Sequence, residues 1–256
     1  MKIKELNQED WPFKALFTGE PGTRKTTASA SFPGKIYMMD IDNKGHAMYL
    51  PHSKGLINSE LEYESFDSWF KIQDKLNSLQ TNCPYDTVIF DSVTAAGDVI
   101  NRSTMKAKSA NGKKIAGISV NSIEDYNAET SALMEAVTLG LALKCNFIMI
   151  AHVIRRDGDA TARTLVTGGK VVGAKMPAYF PEVFHFRAVE SIMEGGPSEY
   201  QVTTQHTGLD FARTTLPLPP NFSWTDKNFY KTMTGNMDGV EIQGGKTEKL
   251  SGNQLT

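Results

Sequence analysis

Between Phe17 and Asp42 the chain reads FTGEPGTRKTTASASFPGKIYMMDID. Gly19, Lys25 and Thr26 fall in the register of the phosphate-binding loop, G-x-x-x-x-G-K-[ST]. Binding a nucleotide's phosphates needs backbone N–H groups turned inward, a lysine that reaches the β and γ oxygens, and a hydroxyl for Mg²⁺. Gly19, Glu20, Pro21, Gly22, Thr23, Arg24, Lys25, Thr26 and Thr27 supply that material. One position departs from the pattern: glycine is expected just before the lysine, and Arg24 stands there. If the backbone at that position needs a positive φ, the arginine is strained. If it does not, the side chain lies outward or adds positive charge near the phosphates. Gly22, two positions earlier, is the other source of flexibility.

Four further polar residues lie at strand ends suited to the same chemistry. Asp91, at the end of TVIFDS, provides the carboxylate that a Mg²⁺–ATP site needs on a neighbouring buried strand, so Thr26 and Asp91 form the expected metal pair. Asp40 and Asp42, in MMDID, point to one side because side chains alternate along a strand. Asp42, further out, is the candidate activator of the attacking water; Asp40 is a candidate turn cap with its role open. His152 in IMIAHVIRR is placed to sense the γ-phosphate, the alternative being a structural histidine. No histidine or cysteine spacing suggests a metal centre of another kind.

These residues must be held by strands and helices. FKALFTG (13–19), KIYMMD (35–40), YDTVIFDS (85–92) and CNFIMIAH (145–152) are apolar runs that read as buried strands. DSWFKIQDKLNSLQ (67–80) places Trp69, Ile72, Leu76 and Leu79 on one helical face, with Asp67 as N-cap. A longer helix starts at Ser122, with Tyr126, Leu133, Met134, Val137 and Leu141 as its stripe. Strands alternating with helices predict an α/β fold with a mostly parallel central sheet. After about residue 181, EVFHFRAV and EYQVTTQH read as antiparallel edge strands, closed by the proline-rich TTLPLPPNFSW. A core over 1–224 is expected, followed by a loosely ordered tail over 225–256, which is rich in Gly, Thr, Asn and Gln.

The 256 residues carry a formal net charge of −2, which excludes a generally basic binder but not local basic patches. Cys83 and Cys145 are expected to be reduced, buried thiols rather than a disulfide framework. The opening MKIKELNQEDWPF is too polar for a signal peptide, and LGLALKCNFIMIAHV is too short and too interrupted to span a bilayer. A cytoplasmic protein with no membrane partner is the expectation.

In this order, the parts resemble the RecA-like branch of P-loop ATPases over roughly residues 13–220. They are similar above all to minimal phage RecA-core ATPases of single-strand annealing and recombination. That resemblance implies ATP and Mg²⁺ as ligands, with Walker A at Gly19–Thr27 and Walker B at Asp91–Ser92. It also implies a head-to-tail oligomer in which GLDFARTTLPLPPNF reaches a neighbour's ATP. Phe211 stands where that element's lysine is expected, leaving Arg213 as its finger. The family's base is usually glutamate; Asp42 is one methylene shorter, and misplacement by about 1 Å can cost about 10²-fold in rate.

Two segments are basic. NRSTMKAKSANGKKIAGIS (101–119) holds Arg102, Lys106, Lys108, Lys113 and Lys114 with no acid, and its centre is too rich in Gly and Ser for a continuous helix. RRDGDATARTLVTGGK (155–170) holds Arg155, Arg156, Arg163 and Lys170. By charge alone either could be a solvated face. The resemblance places the family's two DNA loops here, implying single-stranded DNA as partner, bound in a salt-sensitive way and without base stacking. A single-strand-binding or replication protein is a further candidate partner. A different class of reading keeps the nucleotide as a structural ligand of a regulatory or assembly module, with Arg24 and Asp42 as marks of lost catalysis.

Overall fold

Strands buried on both faces must be apolar along their whole length, and the segments flanking the candidate loop meet that demand. In the computed structural model, which describes residues 11–107, 114–115, 118–119, 123–155, 163–165, 170–189, 198–208 and 211–237, β1 (Lys14–Gly19) is buried from Ala15 onward. β2 (Ile36–Asp40) and β4 (Thr87–Asp91) are buried at every position. With β3 (Leu61–Ser65), β7 (Asn146–Arg155) and β9 (Glu182–Val189) they make a parallel set, extended by the antiparallel β10 (Glu199–Thr203) and β11 (Asn221–Ser223). The order is β11-β10-β9-β1-β7-β4-β2-β3, with β8 (Arg163–Leu165) paired to β7. This is the α/β architecture expected, a mostly parallel sheet with antiparallel strands toward the C-terminal end.

Alternation along the strands divides the core into two layers. Leu16, Met39, Phe90 and Met149 face helices α3 (Trp69–Thr81), α4 (Val93–Ala107), α5 (Ile123–Leu141) and α6 (Lys170–Tyr179). Phe17, Met38, Ile89 and Ile150 face the other side, where α1 (Lys25–Ser29) and α7 (Phe229–Gly235) lie. A short 3₁₀ turn (Gly45–Met48) leads into α2 (Tyr49–Ser53). A separate ribbon pairs β5 (Lys114–Ile115) with β6 (Ile118–Ser119).

Several expectations change. β9 is antiparallel only to β10; it pairs in parallel with β1, Ala15 opposite Glu182, because a crossover returns it to the centre of the sheet. α3 buries Trp69, Ile72, Leu76 and Leu79 as expected, but its N-cap is Ser68, and Asp67 instead pairs with Lys71. α5 is rotated from the apolar stripe. Asp125, Glu129, Ala132, Ala136 and Gly140 are buried with Leu133 and Val137, while Tyr126 is 41% exposed. The buried acids hid this face, and Glu129 accepts from Asn101 Nδ2 at 2.9 Å.

The expected tail boundary at 224/225 also moves. Asn228 caps α7 by accepting from Lys231 N at 3.0 Å, and Phe229 and Met233, one turn apart, are fully buried. Phe229 packs edge-on to Trp224 and against Phe17 and Phe186, with ring centroids 5.3–5.7 Å apart. Two apolar side chains at helical spacing outweigh the polar composition around them. Residues 238–256 lie outside the described residues.

Candidate functional site

The parallel strands deliver their carboxyl ends to one edge, where open α/β sheets bind ligands. Gly19 is level with His152, and Asp40 with Asp91. Residues 14 to 155 thus place four separate segments around one cavity of about 350 Å³, lined by residues 21–27, Asp40, Asp42, Lys44, Asp91 and His152. Met38, Ala47, Met48 and Pro51 supply apolar lining.

The loop's backbone settles the question at Arg24. Its φ is 61° and ψ 27°, the left-handed region, so this position does require the geometry glycine adopts freely. The side chain lies outward. Its guanidinium sits 3.8 Å from the Tyr200 ring centroid and 3.4 Å from Asp226 Oδ1. Stacking on a ring contributes about 0.5–1 kcal/mol at exposed sites, comparable with the cost of one left-handed arginine. Gly19 is required for a different reason. A Cβ there would lie 2.4 Å from the Phe186 carbonyl oxygen, so only glycine lets the loop leave β1 against β9.

Lys25 is 4% exposed and turns its amine onto the loop, donating to Gly19 O and Glu20 O at 2.9 Å each. Burial pushes its pKa down to about 8, against the pull of Asp91 and Asp42. Thr23 closes the loop by donating to Glu20 O at 2.8 Å. Glu20 and Pro21 are exposed at its tip, and Thr27 is buried behind it.

Thr26 and Asp91 meet as expected of the metal pair, the hydroxyl donating to Asp91 Oδ2 at 2.7 Å. Burial lifts the Asp91 carboxyl to about 6; the Thr26 hydrogen bond opposes that rise and the Asp42 charge adds to it. One hydroxyl and one buried carboxylate, beside a lysine and an open cavity, fit Mg²⁺ held jointly with phosphate oxygens.

Asp42 differs from the expected free base. Burial alone would raise its pKa, but hydrogen bonds from Ser92 and Lys44, with the His152 ring close by, outweigh it and hold the carboxyl well below the usual range. Ser92 Oγ donates to Oδ1 at 2.7 Å, and Lys44 Nζ donates to Oδ2 at 3.0 Å. So strongly held an anion is a weak Brønsted base. Asp40, whose role was open, caps the turn carrying Asp42 by accepting from Lys44 N at 2.9 Å and Gly45 N at 2.7 Å. His152 is not the last residue of its strand. Its Nε2 is 3.8 Å from Asp42 Oδ2, and its buried Nδ1 has no hydrogen-bond partner among the described residues.

Arg213 lies elsewhere. It pairs with Val183, below the Gly19–Phe186 level of the sheet, and donates to Phe180 O through Nε at 2.8 Å and to Ala178 O at 2.9 Å. A second guanidinium nitrogen also donates to Phe180 O. The guanidinium therefore caps the C-terminal end of α6 in its own chain rather than standing free. Phe211 is exposed and edge-on to His206.

The described parts of the basic segments belong to helices and strands. α4 runs without a break through Arg102, which is exposed, and Lys106 to Ala107. Lys114 begins β5. Arg155 and Arg163 face each other across the antiparallel β7–β8 pairing, and Lys170 opens α6. Lys108, Lys113 and Arg156 lie outside the described residues.

Lys44, Tyr200 and Asp226 were missed as contributors, and Ser92, named with Asp91 in Walker B, was not expected to hold Asp42. Ser92 carried a signal, following Asp91 directly; Tyr200 and Asp226 carried none, being brought in by β10 and the turn before α7. No helix among the described residues is long and apolar enough to cross a membrane.

The family model described as AAA domain, AAA_24, matches residues 12–215. No curated protein matches the chain. Among solved structures, a KaiC-like protein from the hyperthermophilic archaeon Pyrococcus horikoshii is similar at 11% identity. That match covers 75% of this chain and 77% of the other, with a TM-score of 0.46.

Proposed function

For a chain that belongs to the AAA_24 family of AAA domains, we propose that the cavity binds ATP with Mg²⁺ and slowly hydrolyses it, in the service of single-stranded DNA. The observation that supports this most is the Thr26 hydroxyl 2.7 Å from the buried Asp91 carboxylate, beside Lys25 at the mouth of the cavity. Thr26 and Asp91 would hold the metal, whose charge would offset that of the phosphates. Lys25 exchanges the carbonyls of Gly19 and Glu20 for phosphate oxygens. Ala47, Met48 and Pro51 offer the base an apolar lining. Asp42, held by Ser92 and Lys44, orients the attacking water more than it deprotonates it, and His152 reports the γ-phosphate to the β7–β8 hairpin.

The DNA surface in this reading is a basic set: Arg102 and Lys106 on α4, Lys114 on β5, Arg155 and Arg163 on β7 and β8, Lys170 at the start of α6, and Lys108, Lys113 and Arg156 from the same two sequence segments. It binds phosphates without reading bases. The resemblance to phage RecA-core proteins supports a role in recombination, annealing or replication in a host cytoplasm. It also supports self-assembly head to tail and recruitment through a single-strand-binding or replication protein. In such an assembly Arg213 would have to release Ala178 and Phe180 to reach another subunit's nucleotide.

A second reading, nucleotide as a structural ligand of an assembly module, is favoured by one observation: both oxygens of Asp42 are already engaged. ATP hydrolysis by the purified protein, with and without single-stranded DNA and with Lys25→Ala as blank, separates the two. DNA-stimulated turnover absent from the variant establishes the motor. Tight nucleotide binding without turnover establishes the module.

A further inference from the structure

Two thiols meet at the end of the sheet opposite the cavity. Cys83 lies between α3 and β4, and Cys145 directly precedes β7; Thr87 and Asn146, the first residues of those strands, are paired. The two sulfurs are 3.3 Å apart and both are free thiols. Cys145 is buried, while Cys83 is only partly buried, so Cys83 is the more accessible residue of the two. Lys14 stands beside them, its ammonium donating to Cys145 O at 2.8 Å and Leu143 O at 2.7 Å. Contact with the neighbouring sulfur, helped by the Lys14 charge, holds Cys83 below the ordinary thiol range in spite of burial. The same contact and burial hold Cys145 above it. An accessible sulfur with thiolate character next to a second thiol is the arrangement that reacts with oxidants.

We propose that Cys83 and Cys145 form a reversible oxidation site, in which a hydroperoxide oxidises Cys83 and Cys145 resolves it to an intramolecular disulfide. The Cys83 sulfur attacks the peroxide, the O–O bond breaks, and the departing oxygen leaves as water or alcohol with the thiol proton. Cys83 is then a sulfenic acid. The Cys145 sulfur attacks it, the S–O bond breaks, and hydroxide leaves as water with the Cys145 proton. Two electrons pass from the thiols to the peroxide, and a dithiol reductant returns them. The bond ties the entry of β4 to the entry of β7, the strands that carry Asp91 and His152 further along.

The test is hydrogen peroxide treatment of the whole reduced protein, followed by thiol blocking, intact mass and a non-reducing peptide map. The expected result is loss of two hydrogens, a peptide pair joining Cys83 to Cys145, and a reversible Tm rise of about 5–10 °C. Cys145→Ser should accumulate a trappable sulfenic acid at Cys83, and Cys83→Ser should react at least about tenfold more slowly. Disulfides only between molecules, over-oxidised Cys83 without the internal link, or Cys83→Ser reacting as fast as wild type would each overturn the proposal. The wild-type mass and map decide it even where a serine variant folds poorly.

Discussion

Asp91→Asn is expected to make the magnesium-free protein more stable while removing the proposed metal ligand. Asp91 is 6% exposed, and burial moves its carboxyl from 3.8 to about 6. Each pH unit of that displacement is worth about 1.4 kcal/mol, so the ionised group at pH 7–8 costs the fold about 3 kcal/mol. Asparagine keeps an oxygen to accept the 2.7 Å bond from Thr26 and carries no charge, but it brings N–H groups into a site built for an anion. A net gain of about 1–3 kcal/mol is expected. The sign with pH follows from linkage. Between 3.8 and about 6 the folded protein binds the proton more tightly than the unfolded chain, so wild type loses stability as pH rises through that window. The advantage of the variant should therefore be complete above pH 6 and vanish near pH 4. Urea unfolding in EDTA at several pH values measures it. Adding Mg²⁺ and ATP should stabilise wild type alone and reverse the order. A variant no more stable than wild type at pH 8, or a gap that does not shrink in acid, would refute the account of Asp91 as a carboxylate whose charge burial disfavours.

Arg24→Gly should fall within about 0.5 kcal/mol of wild type, since it relieves the left-handed backbone but loses the stacking on Tyr200, whereas Arg24→Ala keeps the strain and should lose about 1 kcal/mol more in denaturant unfolding. Lys14→Met should cost about 1–3 kcal/mol at pH 7, because the ammonium closes the turn after α5 through the carbonyls of Leu143, Cys145 and Gly140; thermal unfolding reads this. Arg213→Ala should lower the Tm by about 2–4 °C, for roughly 1 kcal/mol of lost caps at Ala178 and Phe180. An unchanged Tm with lost turnover would show instead that Arg213 acts on a neighbour's nucleotide.

The sequence by itself determined the strands, the loop and the pairing of Thr26 with Asp91. Apolar runs long enough to be buried on both faces announce β1, β2, β4 and β7, and the loop's residue types mark where β1 ends. β3 was not legible, because an edge strand reading LEYES has little apolar surface to show. Neither was the buried face of α5, whose acids read as solvated. Tertiary structure decided the state of each charged group. Arg24 could be assigned a strain but not a partner, since Asp226 is 202 residues further along. Asp42 looked like a free base until the end of β4 brought Ser92 to it across 50 residues. Cys83 and Cys145 looked unrelated until β4 and β7 became neighbours. Burial periodicity and backbone stereochemistry are properties of short stretches of chain, so they can be read there. The partner of a charge depends on which distant elements the strand order sets side by side, and that exists only once the sheet has formed.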